Sequence, residues 1–139
     1  MDNSAKKYIF VEKNKIMKIR LIYYWKTILA AIVILVVSLG SFSMRQNPDI
    51  PNLDKIIHIV IYAILSFCLF YDYGQNQNIK NNKHTLALVA IPIIYGGLME
   101  VLQSLLTEDR MASLGDFLAN ISGTIIAWGI YHLIYQRKQ

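Results

Sequence analysis

Four long apolar blocks, separated by short polar stretches, set the pattern of this chain. They run from Thr27 to Phe42 (TILAAIVILVVSLGSF), from Ile56 to Tyr71 (IIHIVIYAILSFCLFY), from Thr85 to Leu106 and from Phe117 to Tyr135. A helix crossing a bilayer needs about 20 predominantly apolar residues. The first two blocks fall slightly short, but Tyr23, Tyr24 and Trp25, and Tyr71 and Tyr73, extend them as interfacial aromatic anchors. The pattern therefore predicts an all-α integral membrane protein. It is a four-transmembrane-helix bundle with helices at approximately 24–43, 55–73, 85–106 and 116–135, the second having the weakest hydropathy signal. Pro48 and Pro51 bracket an extended connection before the second helix. Pro92, with Gly96 and Gly97 a turn later, either kinks the third helix or admits a neighbouring backbone; ordinary tolerance of Pro and Gly in membrane helices explains them equally well.

Composition agrees with that architecture. The chain has 139 residues, enough for one domain, and 55% of them are hydrophobic, above the usual range for soluble chains. The net charge of +5 is concentrated at the amino end. Lys6, Lys7, Lys13, Lys15, Lys18, Arg20 and Lys26 supply half of the 14 Lys and Arg residues. A basic run directly before an apolar helix sets membrane orientation, and we read it that way rather than as a nucleic-acid contact. Residues 1–24 are thus a basic cytoplasmic segment and 25–139 the transmembrane domain. The remaining loops follow the same rule. Arg45 is outweighed by Asp49 and Asp54 outside, and Lys80 and Lys83 outweigh Asp72 inside. The stretch TEDRMASLGD is acidic and outside, and Arg137 and Lys138 are inside. Both termini are expected in the cytoplasm. The first block also resembles a cleaved signal peptide, with Ser38 and Gly40 as small residues near a cleavage site, but its basic region is too long for one.

Polar residues inside the apolar blocks carry the chemical signal. Asp54, Lys55, His58 and Tyr62 open the second helix, Glu100 and Gln103 close the third with Arg110 just beyond, and Asp116 and Asn120 open the fourth. On the expected topology all lie at the outer end. At ~1.5 Å per residue, His58 sits roughly 6 Å below Asp54, Glu100 about 9 Å below Leu106, and Asn120 about 6 Å below Asp116. The spacings are i, i+4 for Asp54, His58 and Tyr62, i, i+3 for Glu100 and Gln103, and i, i+4 for Asp116 and Asn120, with Gly123 next. A polar face of this kind cannot look at lipid, so the three faces are expected to converge on one another or on a water-filled cup open to the outside.

Each residue also has a plainer explanation. Asp54 and Asp116 fit helix N-caps, and Lys55 fits a snorkelling side chain. His58 fits a satisfied interhelical donor, Tyr62 ordinary packing, and Asn120 with Gly123 a close helix contact. Glu100 resists such a reading, because an ionisable residue inside a span is by default a functional group. His58, Asp54, Glu100 and Asp116 offer ligands to a divalent ion, yet a lone histidine without a ligand motif argues for no metal, and no cofactor is expected. His58 and Glu100 are the candidates for acid–base catalysis on a lipid head group. No P-loop, nucleophile elbow or dinucleotide fingerprint is present, which weighs against an enzyme. The single cysteine, Cys68, offers no intramolecular disulfide and reads as a small hydrophobe.

The segments DKIIHIVIYAIL and EVLQSLLTEDRMASLGDFLANISG resemble the VanZ-like family of bacterial membrane proteins. The matching positions are Asp54, Lys55, His58, Tyr62 and Leu65, then Glu100, Gln103, Arg110, Asp116, Asn120 and Gly123, and the resemblance spans roughly residues 25–135. The chain departs from the family pattern at Ala127, where a glycine is common, and at Glu108 and Asp109, near which Pro or Gly is common. The resemblance implies a multi-pass protein of the bacterial cytoplasmic (inner) membrane. It also implies an association with the cell envelope and with resistance to the glycopeptide teicoplanin. Three functions compete at this level: a site for a lipid or cell-wall precursor head group, an enzyme using His58, and a structural bundle acting through a partner. Apart from the bilayer and that head group, the sequence names no ligand, and it does not reveal the oligomeric state.

Overall fold

The computed structural model describes residues 22–39, 52–75, 82–106 and 112–135, and within them the chain is helical throughout its length apart from short connections. The helices are α1 (Trp25–Leu39), α2 (Leu53–Gly74), α3 (Asn82–Leu106) and α4 (Leu114–Tyr135). They match the expected elements to within a few residues. Residues 40–43, expected at the end of the first helix, and the basic segment 1–21 lie outside the described residues. Three helices, Leu53–Gly74, His84–Leu106 and Leu114–Tyr135, are long and apolar enough to cross a membrane, and Leu53–Gly74, expected to be the weakest by hydropathy, is the most apolar of them because its polar residues cluster in the first turns. The fourth, α1, is a shorter apolar helix of 15 residues, about 22 Å long.

The bundle is arranged with apolar residues outward. Ile56, Val60 and Ile64 on α2, and Leu98, Val101 and Leu105 on α3, form exposed stripes at helical spacing. Contiguous apolar surface on every helix calls for a lipid environment. Conversely, Ser38, Ser66, Asp72, Glu100, Gln103, Asn120 and Thr124 are buried. Without a hydrophobic driving force between helices in lipid, close packing and interhelical hydrogen bonds hold such a bundle together.

The closest packing joins α2 to α4. A methyl group built at Gly123 would collide with the main-chain carbonyl of Ile59, so glycine is what permits this backbone approach. One position on, Thr124 Oγ1 accepts a hydrogen bond from Ser66 Oγ at 3.1 Å and donates to the Asn120 carbonyl at 3.0 Å. Ala127, where the family commonly has glycine, is buried against Leu69, Phe70 and Leu88, and its methyl group fills that core. Pro92 is fully buried and does not end α3, which runs unbroken from Asn82 to Leu106. Gly96, a turn later, makes room for side chains rather than for a neighbouring backbone, since a Cβ there would lie 3.0 Å from Asn120 Nδ2 and 3.1 Å from the Tyr62 ring.

Side chains of other helices hold α1 at both ends. At one end Asp72 accepts hydrogen bonds from Lys26 Nζ at 3.2 Å, from the Thr27 N–H at 3.1 Å and from Thr27 Oγ1 at 2.8 Å. Asp72 was counted above among loop charges. It is instead 1% exposed in the last turn of α2, where its charge meets the amino end of α1. At the other end Gln103 Nε2 donates to the Ser38 carbonyl at 3.2 Å, and midway Tyr95 donates to the Ala31 carbonyl at 2.7 Å. Around Asp72 lies an aromatic belt in which Lys26 Nζ stands 4.9 Å from the Tyr71 ring and Tyr131 stacks on Tyr135.

Gly123→Ala is expected to lower the thermal midpoint in detergent, by overpacking worth about 1–3 kcal/mol. Gly129→Ala, inside the same helix but with open space around it, is expected to leave the midpoint unchanged or raise it slightly. Equal midpoints for the two variants would contradict the α2–α4 contact.

Candidate functional site

Ends of three helices build the site. α2 begins after Asn52, whose φ of 62° is a left-handed conformation that Asn tolerates. His58 therefore falls in the second turn, with Tyr62 one turn deeper. Their rings are parallel, with centroids 6.4 Å apart. α3 brings Glu100 in from the opposite direction, and α4 brings Asp116 and Asn120. The α2–α4 contact at Gly123 draws Asn120 to His58, and His58 Nδ1 stands 2.9 Å from Asn120 Oδ1. Glu100 Oε1 lies 3.7 Å from the same nitrogen.

Ser113, which the sequence reading passed over, organises the rest. It precedes α4, and its Oγ accepts the Asp116 N–H at 3.3 Å. Ser113 is thus the N-cap, and Asp116 occupies the third helical position of a capping box. In such a box the acidic side chain normally turns back to the N–H of the cap. Here the Ser113 N–H donates to Glu100 Oε2 at 3.4 Å instead. The bond links α4 to α3 and takes away the usual donor to Asp116. The S-x-x-D spacing in SLGD, just before an apolar run, was the available signal for this serine.

Among the described residues, four buried side-chain polar atoms have no partner at full hydrogen-bond geometry: Tyr62 OH, Glu100 Oε1, Asp116 Oδ1 and Asn120 Nδ2, of which the Asn120 amide and the Glu100 carboxylate stand close enough to interact with each other. All four belong to this one site. Tyr62, Glu100 and Asn120 are 1%, 5% and 0% exposed. A buried polar atom left unpaired costs about 1–3 kcal/mol, and a charged one more, so four together mark a site rather than a packing defect. The set offers two acceptors, Glu100 Oε1 and Asp116 Oδ1, and two potential donors, Asn120 Nδ2 and the Tyr62 hydroxyl.

Several expectations take a different form. Neither Asp54 nor Asp116 is an N-cap, because Asn52 and Ser113 hold those positions. Asp54 and Lys55 pair with each other at 3.5 Å, their side chains 43% and 40% exposed, and form a rim beside the buried group. The stem of Lys55 lies over Gly115, where a Cβ would come within 2.8 Å of it. Gln103 is buried but serves the α1 contact. Arg110 lies outside the described residues. His84 and His132 lie in the other half of the bundle, with His84 Nδ1 2.7 Å from the Tyr73 hydroxyl and His132 against Trp128. An apolar groove lined by Thr85, Leu86, Val89, Ile125 and Trp128 is in that same half and offers no comparable polar set.

Fold and site together define a multi-pass membrane helix bundle that gathers a group of buried polar side chains near one end. A family model described as VanZ/LLP1 matches residues 4–135, and the chain belongs to this family. The match takes in most of the basic amino-terminal segment, beyond the 25–135 resemblance noted above. No curated protein and no solved structure matches the chain.

Glu100→Gln keeps an acceptor for the Ser113 N–H while removing the desolvated charge. If the site is kept for a ligand, the variant is expected to match or exceed wild-type stability by up to about 1 kcal/mol in detergent melts. A loss of about 3–5 kcal/mol would instead show the carboxylate locked in a buried structural ion pair.

Proposed function

We infer that this VanZ/LLP1 protein is a four-span protein of the bacterial cytoplasmic membrane, with both termini in the cytoplasm and the buried polar group lining a chamber at the outer face. The chamber receives the head group of a lipid or cell-wall precursor. The observation that carries this reading is the set of four buried polar atoms, contributed by three helices, with no partner at full hydrogen-bond geometry. Two acceptors beside two potential donors suit a head group bearing hydroxyl, amide or amino functions, which would satisfy all four without displacing a protein hydrogen bond. Lys55 at the rim, with Arg110 beyond α3, would meet a phosphate. The position of the polar group near the helix ends supports access from the head-group level. By family resemblance, such a site connects the protein to the cell envelope and to teicoplanin resistance, an analogy that follows the family and not the geometry.

A second reading draws support from one contact. Glu100 Oε1 lies 3.7 Å from His58 Nδ1, the arrangement by which a carboxylate orients an imidazole for acid–base work. Turnover of a phospholipid or polyprenyl-lipid substrate that vanishes in His58→Ala would support an enzyme.

Two experiments test the main reading. Native mass spectrometry of the purified wild type is expected to show a retained polar lipid that Glu100→Gln and Asp116→Asn lose. Equal retention by folded variants would contradict binding in the chamber. In a Cys68→Ala background, Ser113→Cys is expected to react with a membrane-impermeant maleimide on intact cells. Labelling only after lysis would reverse the orientation.

A further inference from the structure

We propose that the chamber holds a divalent metal ion of the first transition row, ligated by His58, Glu100 and Asp116. The expectation of no metal rested on a lone histidine and on the absence of a ligand motif. Folding supplies what spacing did not: three ligands from three helices. One ligand atom from each of the three side chains can be chosen so that all lie within 4.8 Å of one another. His58 Nδ1 and Glu100 Oε1 are 3.7 Å apart. Ligands at about 2.1 Å from a tetrahedral ion stand roughly 3.4 Å apart, so shifts of the side chains by about 1 Å or less would close the site.

Three observations point to a cation in particular. Glu100 Oε1 and Asp116 Oδ1 are buried acceptors with no donor at full hydrogen-bond geometry, the Asn120 amide being the neighbour of Glu100. The Ser113 N–H, the donor a capping box would give Asp116, is committed to Glu100 Oε2. The nearest lysine, Lys55, is paired with Asp54 at the rim. Two ionised carboxylates in this setting are costly unless compensated, and a doubly charged ion with a neutral imidazole makes the group electrically neutral. One nitrogen and two carboxylate oxygens suit zinc or manganese better than calcium or magnesium, which take all-oxygen sites. Ligation through His58 Nδ1 exchanges its contact with Asn120 Oδ1 for a bond to the ion. Three protein ligands leave at least one coordination position for water or for an oxygen of a head group.

The ion is tested independently of the head group, on chelator-treated, full-length protein in lipid-free detergent. Zn²⁺ titration by calorimetry is expected to give one ion per chain with micromolar or tighter affinity. Glu100→Gln, His58→Asn and Asp116→Asn are each expected to weaken it at least tenfold. The double variant His84→Asn/His132→Asn, at the other end of the bundle, is expected to bind as wild type does. Co²⁺ is expected to give visible absorption bands that Glu100→Gln abolishes. Absence of Zn²⁺ and Mn²⁺ binding up to millimolar concentration overturns the proposal, as does binding that Glu100→Gln leaves unchanged while the double histidine variant removes it. A wild type that retains no polar lipid yet binds Zn²⁺ would count against the head-group reading and not against the ion.

Discussion

The approach of α2 to α4 at Gly123 is the constraint on which the rest of the structure depends. With no side chain at that position, α4 rests directly on the main chain of α2 at Ile59. Backbones this close bring short polar side chains within reach, and Ser66 bonds Thr124 one residue further along. One turn towards the start of α4, the same geometry puts the Asn120 amide on the His58 ring. Lipid offers no hydrophobic reward for joining helices, so contacts of this kind must hold the bundle. They also fix where its polar groups converge.

Given that frame, the polar residues divide into two kinds. Asp72, Gln103, Tyr95, Ser66 and Thr124 have hydrogen bonds within the protein and tie helix to helix. Tyr62, Glu100, Asp116 and Asn120 each retain a buried atom with none at full geometry. The contrast matters because the first group shows that this chain can satisfy buried polar groups when the fold requires it. Leaving four unsatisfied in one place is a local choice. Stability given up at a binding site is the usual counterpart of function.

Much of this was legible in the chain. Apolar blocks gave the helices, because in a bilayer a span has little alternative to being one. The i, i+4 spacing of His58 and Tyr62, and of Asp116 and Asn120, placed each pair on one helix face, and the faces do meet. What was missed depended on pairing between helices. Asp72 reads as a loop charge beside Tyr73 and Gly74, although it continues the face of Tyr62, Leu65 and Leu69. Its partner, the amino end of α1, lies some 45 residues away in sequence. Ser113 looks like one more polar loop residue until the cap and the bond to Glu100 are seen together. The assembly of His58, Glu100 and Asp116 into one group likewise exists only once three helices are packed.

The central claim is that the chamber at the helix ends is a ligand site and not a structural polar core. The most direct measurement is an experimental structure of the protein in lipid, at a resolution that shows ordered non-protein density. The account predicts density other than protein within bonding distance of Glu100 Oε1, Asp116 Oδ1 and Asn120 Nδ2. It is contradicted if the three groups, Asp116 included, are satisfied by protein hydrogen bonds alone and nothing else stands between them.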